Sequence, residues 1–254
     1  LDKNLSPHLS SPTRSVLSNN YKQHTKHTLS YVRRLILTSQ KLDKHQIPYL
    51  AFKGPVLSEM LYGDALVKDS LDIDLWVPLE YVEKCQQILY DEGFIRILPE
   101  SKLTPKQQKK NYSISHHYTY LHKDERVVIE LHWNITNPFS LLPLSFSEAY
   151  KDYIIVTLNN HELTTLSYEN YLLYLAVHGT SHKWSRLHWL KDFSTLLEKT
   201  NKEQLKNAFQ MAEKLKLTKP LMQGLWISHK LFNTTINETV ADAKHFNNAV
   251  FFNT

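Results

Sequence analysis

The sequence predicts an α+β chain in which a small mixed β-sheet domain is followed by a helical domain. Three observations carry this reading. Short apolar runs with strand-like alternation fall before residue 167, at IPYLAF, LDIDLWV, YTYL and RVVIELHW. Between them lie segments of helical spacing that open at proline and stop at glycine. From Tyr168 onward the alternation gives way to successive amphipathic helical segments.

Taken in order, residues 1–24 are polar and rich in Ser and Asn, and are expected to form a loose arm. Leu29, Val32, Leu35, Ile36 and Leu42 recur at helical spacing, which predicts a helix from about Thr25 to His45. Ile47 to Phe52 reads as a buried strand ending at Lys53-Gly54-Pro55, and Pro55 then suits the first turn of a helix that stops at Gly63. Leu71 to Val77 reads as a second strand, and Pro78 to Gly93 as another helix. A polar loop follows, and in it Lys106, Lys109 and Lys110 form the densest basic cluster, either a solvated stretch or a phosphate-binding patch. Tyr118–Leu121 and Arg126–Trp133 flank Lys123-Asp124-Glu125 as a hairpin, and Tyr153–Leu158 and Glu162–Leu166 suggest another. The α/β core therefore spans residues 25–167 and the helical domain residues 168–254.

The 254 residues suffice for a sizeable core, and 42% hydrophobic with 22% charged residues is the balance of an ordinary globular chain. No apolar run approaches the roughly 18–20 residues that span a bilayer, and LDKNLSPHLSSPTRS has no signal-peptide core, so no membrane partner is expected. A single cysteine, Cys85, excludes an internal disulfide and points to a reducing cytoplasm. A net charge of +5 tolerates polyanionic partners such as nucleotides or nucleic acid.

The chemistry centres on Asp72-Ile73-Asp74. Residues i and i+2 of a strand share a face with Cα atoms about 6.5–7 Å apart, so two carboxylates placed this way can grip a divalent cation. Aspartate is depleted in strands, so the pair asks for an explanation; an edge strand with a wet face is the bland one. Upstream, a strand, a turn containing Gly54 and a helix N-terminus make a phosphate cradle, to which Lys53 adds a point charge. Downstream, Val127, Ile129, Leu131 and Trp133 form an apolar face, which leaves Glu130 on the open face with Val128 and His132. A third carboxylate is wanted there. In the helical half, His178 and His182 share a helix face four residues apart. Zinc binding, phosphate binding by His182, Lys183 and Arg186, and plain packing all fit that spacing. Trp184 and Trp189 read as packing residues.

The ordered set Lys53, Gly54, Leu57, Tyr62, Lys68, Asp72, Ile73, Asp74, Leu75, Glu130, His132 and Trp133 resembles the uncharacterised bacterial nucleotidyltransferase family of the polymerase-β superfamily. The later set His178, Gly179, His182, Trp184, Arg186, Leu187, Trp189 and Asp192 is also similar to it. Lys68 stands where the family has Arg, Glu130 where it has Asp, and Lys53-Gly54 where the wider superfamily has Gly-Ser.

The resemblance implies a polymerase-β-like fold and transfer of an NMP group from an NTP to an acceptor hydroxyl, releasing pyrophosphate. It implies Mg²⁺ (or Mn²⁺) held by Asp72, Asp74 and Glu130, the same residues being catalytic. Lys53, Gly54, Lys68, His182, Lys183 and Arg186 are the nucleotide-binding candidates. The acceptor stays open among a small molecule, a protein side chain and an RNA end. The alternative is a catalytically degenerate nucleotide- or partner-binding protein on the same fold.

Overall fold

The two runs that bear the acidic residues lie side by side. Ile73–Trp76 forms β2 and Val128–His132 forms β5, paired in parallel with Ile73 opposite Ile129, Asp74 opposite Glu130, Leu75 opposite Leu131 and Trp76 opposite His132. The structure, a computed structural model, describes residues 10–100, 103–137 and 142–234. Leu50–Phe52 (β1) pairs antiparallel with β2 on its other side, and His117–His122 (β4) pairs antiparallel with β5, as the expected hairpin. Phe94–Leu98 (β3) closes the far edge against β4. The sheet is therefore mixed, in the order β1-β2-β5-β4-β3.

Alternation sorts the side chains. Ile73, Leu75, Ile129, Leu131, Tyr118 and Tyr120 are almost wholly buried in the core. Asp74, Glu130 and His132 share the opposite face.

Chain contacts divide the molecule into two compact units. One is drawn from Leu1–Lys102, His117–His132 and Ile155–Thr164, the other from Leu103–His116, Trp133–Ile154 and Thr165–Thr254.

In the first unit, Ser11–Lys44 forms one long helix, α1, which begins well before Thr25. Ser10 caps it by accepting a hydrogen bond from the Thr13 N–H, and Pro12 sits in its first turn. Residues 11–17 are exposed, so this end carries no apolar stripe by which the sequence could announce it. Residues 1–9 of the expected arm lie outside the described residues.

The buried Arg34 of α1 forms a forked pair with Glu125 in the β4–β5 turn and lies 3.5 Å from Glu92, while Arg33 reaches Glu125 at 3.1 Å and Lys41 reaches Glu92 at 2.9 Å. Gly54–Tyr62 (α2) ends at Gly63, which adopts the left-handed conformation (φ 67°) as its position predicts. A 3-10 turn at Leu79–Tyr81 leads into Val82–Asp91 (α3). Ile154–Leu158 (β6) and His161–Thr165 (β7) form a two-stranded sheet around Asn159-Asn160, both at positive φ.

The polar loop expected after Gly93 is in fact β3 followed by Pro105–Ile114 (α4). Strand β3 is an edge with Ile95 and Leu98 exposed, so its apolar alternation is blurred. Helix α4 has no buried residue, but Thr104 and Gln107 form a capping box that marks its start. Lys106, Lys109 and Lys110 are thus exposed positions of a helix rather than of a loop.

The second unit is mainly helical. After the short Phe146–Ala149 (α5) come Tyr168–Ser181 (α6), Leu187–Lys199 (α7), Lys202–Lys214 (α8) and Thr218–Phe232 (α9). Trp184 seats its indole where two glycines leave room. A Cβ on Gly179 would lie 2.4 Å from the ring, and one on Gly224 would lie 3.2 Å from it. The indole N–H donates to Gln223 Oε1 at 3.2 Å, which fixes the ring against α9. Trp184 packs edge-on to Phe193, as a packing residue should.

Two outcomes test this packing. Gly179→Ala raises helix propensity yet should destabilise the protein by about 1–3 kcal/mol through overpacking against Trp184, measured by urea unfolding; Trp184→Leu in the same background should recover part of the loss. At Glu125, the Arg34 hydrogen bonds lower the carboxyl pKa below its ordinary value near 4.5. A depressed acid pKa contributes stability that is present above the unfolded-state value and is lost as pH falls through the folded-state one. Glu125→Gln should therefore cost about 1–2 kcal/mol at pH 7, and the deficit should shrink below pH 4.5 in a pH series of denaturation curves.

Candidate active site

Asp74 has a fully buried side chain, and two basic groups meet the same oxygen of it. Lys53 Nζ lies 2.5 Å from its Oδ1 and His132 Nε2 lies 3.0 Å from the same oxygen. Its other oxygen, Oδ2, is buried without a hydrogen-bond partner. Glu130, opposite Asp74 in register, is partly exposed and lies 3.4 Å from His132 Nε2 and 3.5 Å from His117 Nε2. Asp72 stands one residue before β2 on the same face as Asp74. His132 therefore links two carboxylates, and His117, opposite it in register, supports Glu130 from β4.

The backbone around Lys53 is as constrained as its side chain. Lys53 adopts φ 62° and ψ −164°, a region almost reserved for glycine, and such strain costs on the order of 1–3 kcal/mol. Gly54 follows at φ 47°, and a Cβ there would lie 3.4 Å from both the Asp72 carbonyl oxygen and Ser70 Oγ. The glycine thus lets the start of α2 press against the loop that delivers Asp72. No side chain caps the N-terminus of α2. Tyr31 on α1 donates to the Leu71 carbonyl at 3.0 Å and holds the same loop from behind.

The electrostatics follow from crowding. Burial raises the Asp72 carboxyl to about 6, helped by the charge of Asp74. Burial also acts to raise Asp74, but the Lys53 charge and the His132 hydrogen bond outweigh it and hold the group near 2. Burial pushes the His132 imidazole down, yet its bonds to Asp74 and Glu130 prevail and the net shift is upward. His117 is lowered to about 4 by burial and by the neighbouring His132 charge.

Asp74, Glu130 and His132 present one ligating atom each within 4.8 Å of one another. Together with the unpartnered Asp74 Oδ2, this donor set fits a divalent cation.

Of the residues singled out in the sequence, Lys53, Gly54, Asp72, Asp74 and Glu130 come together here. Lys68 lies part-exposed in the segment between α2 and β2. His182, Lys183 and Arg186 are exposed on the turn between α6 and α7. His182 is the C-cap of α6, so the helix ends before it, and Lys183 and Trp184 both take positive φ. The His178 and His182 rings are 4.7 Å apart, each packs on Trp189, and the Arg186 guanidinium lies over the same indole at 5.3 Å. Among the described residues no third ligating side chain joins the two histidines, so packing explains them better than zinc. Sequence reasoning missed His117 altogether. Its only signal was the register, since it stands opposite His132 across the hairpin.

A model of the family described as uncharacterised nucleotidyltransferases matches residues 2–233. The chain belongs to this nucleotidyltransferase family. No curated protein matches the sequence. Among solved structures, the antibiotic-resistance factor ANT(2'')-Ia is similar, with a TM-score of 0.50 and 12% identity over 74% of this chain and 92% of that one. The lincosamide antibiotic adenylyltransferase LnuA, bound to lincomycin, gives a TM-score of 0.43 and 17% identity over 65% and 94%. An antigenic nucleotidyltransferase-like protein from Paracoccidioides brasiliensis gives 0.44 and 14% over 75% and 91%. The likeness to ANT(2'')-Ia concerns the fold, a polymerase-β-like nucleotidyltransferase fold with a mixed sheet.

The Lys53–Asp74 pair makes a sharp prediction about stability in this family member. Lys53→Met should cost about 3–5 kcal/mol in urea unfolding, because Asp74 would remain buried without its ammonium partner. Adding Asp74→Asn to that variant should return much of the loss.

Proposed function

We propose that this nucleotidyltransferase moves an NMP group from an NTP to an acceptor hydroxyl and releases pyrophosphate. The observation that carries the reading is the in-register placement of Asp74 beside Glu130 on parallel strands, with Asp72 on the same face and Lys53 at Asp74. Asp72, Asp74 and Glu130 would hold a divalent cation, Mg²⁺ or Mn²⁺. When bound, such a cation neutralises triphosphate charge and acidifies the acceptor hydroxyl.

The protein groups divide the remaining work. The uncapped N-terminus of α2, with Gly54 allowing close approach, receives phosphate oxygens. Lys53, 29% exposed at its side chain, adds a charge there. Glu130, more exposed than Asp74, takes the proton of the acceptor hydroxyl as its oxygen attacks the α-phosphorus. The bond from that phosphorus to the bridging oxygen breaks and pyrophosphate leaves. Catalysis on this reading is positioning and charge compensation more than covalent chemistry. Lys68, His182, Lys183 and Arg186 are assigned to nucleotide or acceptor phosphates on charge and exposure.

A thermal-shift panel of ATP, GTP, CTP and UTP, each with and without Mg²⁺, tests the donor site in the wild type and in Asp74→Asn. The expected outcome is a metal-dependent rise in Tm with at least one NTP in the wild type, absent in the variant. A folded wild-type protein indifferent to every NTP would favour the degenerate, partner-binding alternative.

A further inference from the structure

Resting on the reading that this site binds a divalent cation, we infer that His132 is itself a ligand, so that Asp74, Glu130 and His132 form a mixed nitrogen–oxygen centre that holds a first-row transition ion such as Mn²⁺ more tightly than Mg²⁺. Three features of the fold lead there. The parallel register sets Asp74 beside Glu130, and alternation puts His132 on the same face two residues further along β5. His132 Nε2 thereby lies 3.0 Å from Asp74 Oδ1 and 3.4 Å from Glu130 Oε2. Two ligands at right angles and each about 2.1 Å from one ion are about 3.0 Å apart, so these separations suit a shared cation.

Hydrogen bonding alone accounts for the arrangement less well. A single Nε2–H could serve the two carboxylates only as a shared donor, short to Asp74 Oδ1 at 3.0 Å and long to Glu130 Oε2 at 3.4 Å, whereas one cation would bind all three atoms. Asp74 Oδ2, in a side chain of zero exposure, has no hydrogen-bond partner and offers a further ligating atom. His117 Nε2, 3.5 Å from Glu130 Oε1, braces the second carboxylate from β4. An imidazole ligand is what separates the metals. Mg²⁺ takes oxygen donors and holds its water, while first-row transition ions accept imidazole nitrogen readily.

The test is electron spin-echo envelope modulation on tag-free, full-length protein loaded with Mn²⁺, with affinities for Mn²⁺ and Mg²⁺ measured in parallel by Mn²⁺ EPR titration and Mg²⁺ competition. The wild type should show modulation from a directly bound ¹⁴N, and uniform ¹⁵N-histidine labelling should change its frequency without altering the fold. His132→Gln should abolish the modulation and weaken Mn²⁺ binding by at least about tenfold, while His117→Gln should keep the modulation. Mn²⁺ should also bind tighter than Mg²⁺. Bound Mn²⁺ without nitrogen modulation in the wild type would overturn the inference and leave the nucleotidyl-transfer reading standing. Modulation that survives His132→Gln but vanishes in His117→Gln would also overturn it. No Mn²⁺ binding, with or without NTP, would overturn both.

Discussion

A carboxylate with no exposed surface is the constraint around which this half of the molecule is organised. Asp74 sits in the middle of β2, flanked by strands on both sides, where an unpaired charge would be prohibitive. Its neighbours are chosen accordingly. Lys53 comes from the end of β1 and His132 from the end of β5, so the carboxylate is compensated from both adjacent strands. The strained backbone of Lys53 and the glycine after it are the local cost of bringing an ammonium to that point. A buried ion pair of this kind adds little to stability compared with an apolar replacement, so its presence points to work other than holding the fold.

The surrounding elements fix the position of this cluster more than they add chemistry. Helix α1 ties the β4–β5 turn through Arg34 and Glu125, and the loop before Asp72 through Tyr31. The apolar face of β2 and β5 locks the register of the two strands, because a slip by one residue would send Ile129 and Leu131 to the polar face and Glu130 into the core. The same hydrophobic pattern that buries the sheet thus aligns Asp74 with Glu130. Fold and site are determined by a single set of alternating residues.

Much of this was legible in the chain itself. The DxD in an apolar strand and the apolar face of RVVIELHW put Asp72 and Asp74 on one strand face and Glu130 opposite the apolar side of its own strand, although the face expected to be open buries Asp74 and His132. The helical half was plain from its periodicity. The elements missed were those without a buried apolar pattern. The first turns of α1 are exposed, α4 has no buried residue, and β3 is an edge strand with two exposed apolar side chains, so only capping residues mark the two helix starts and nothing local marks β3. His182 read as part of a continuous helix, whereas α6 stops before it and two consecutive residues turn left-handed.

By itself, then, the sequence determined which residues alternate, where helices can begin and stop, and which carboxylates share a strand face, because those properties depend on neighbours within a few positions. Only the tertiary structure decided that β2 pairs in parallel with β5, that Lys53 reaches back to Asp74, and that His132 and His117 join the carboxylates. These are contacts between residues as far as 58 positions apart in the chain. They follow from strand order and register, and strand order is set by how the whole apolar surface is buried rather than by any local pattern.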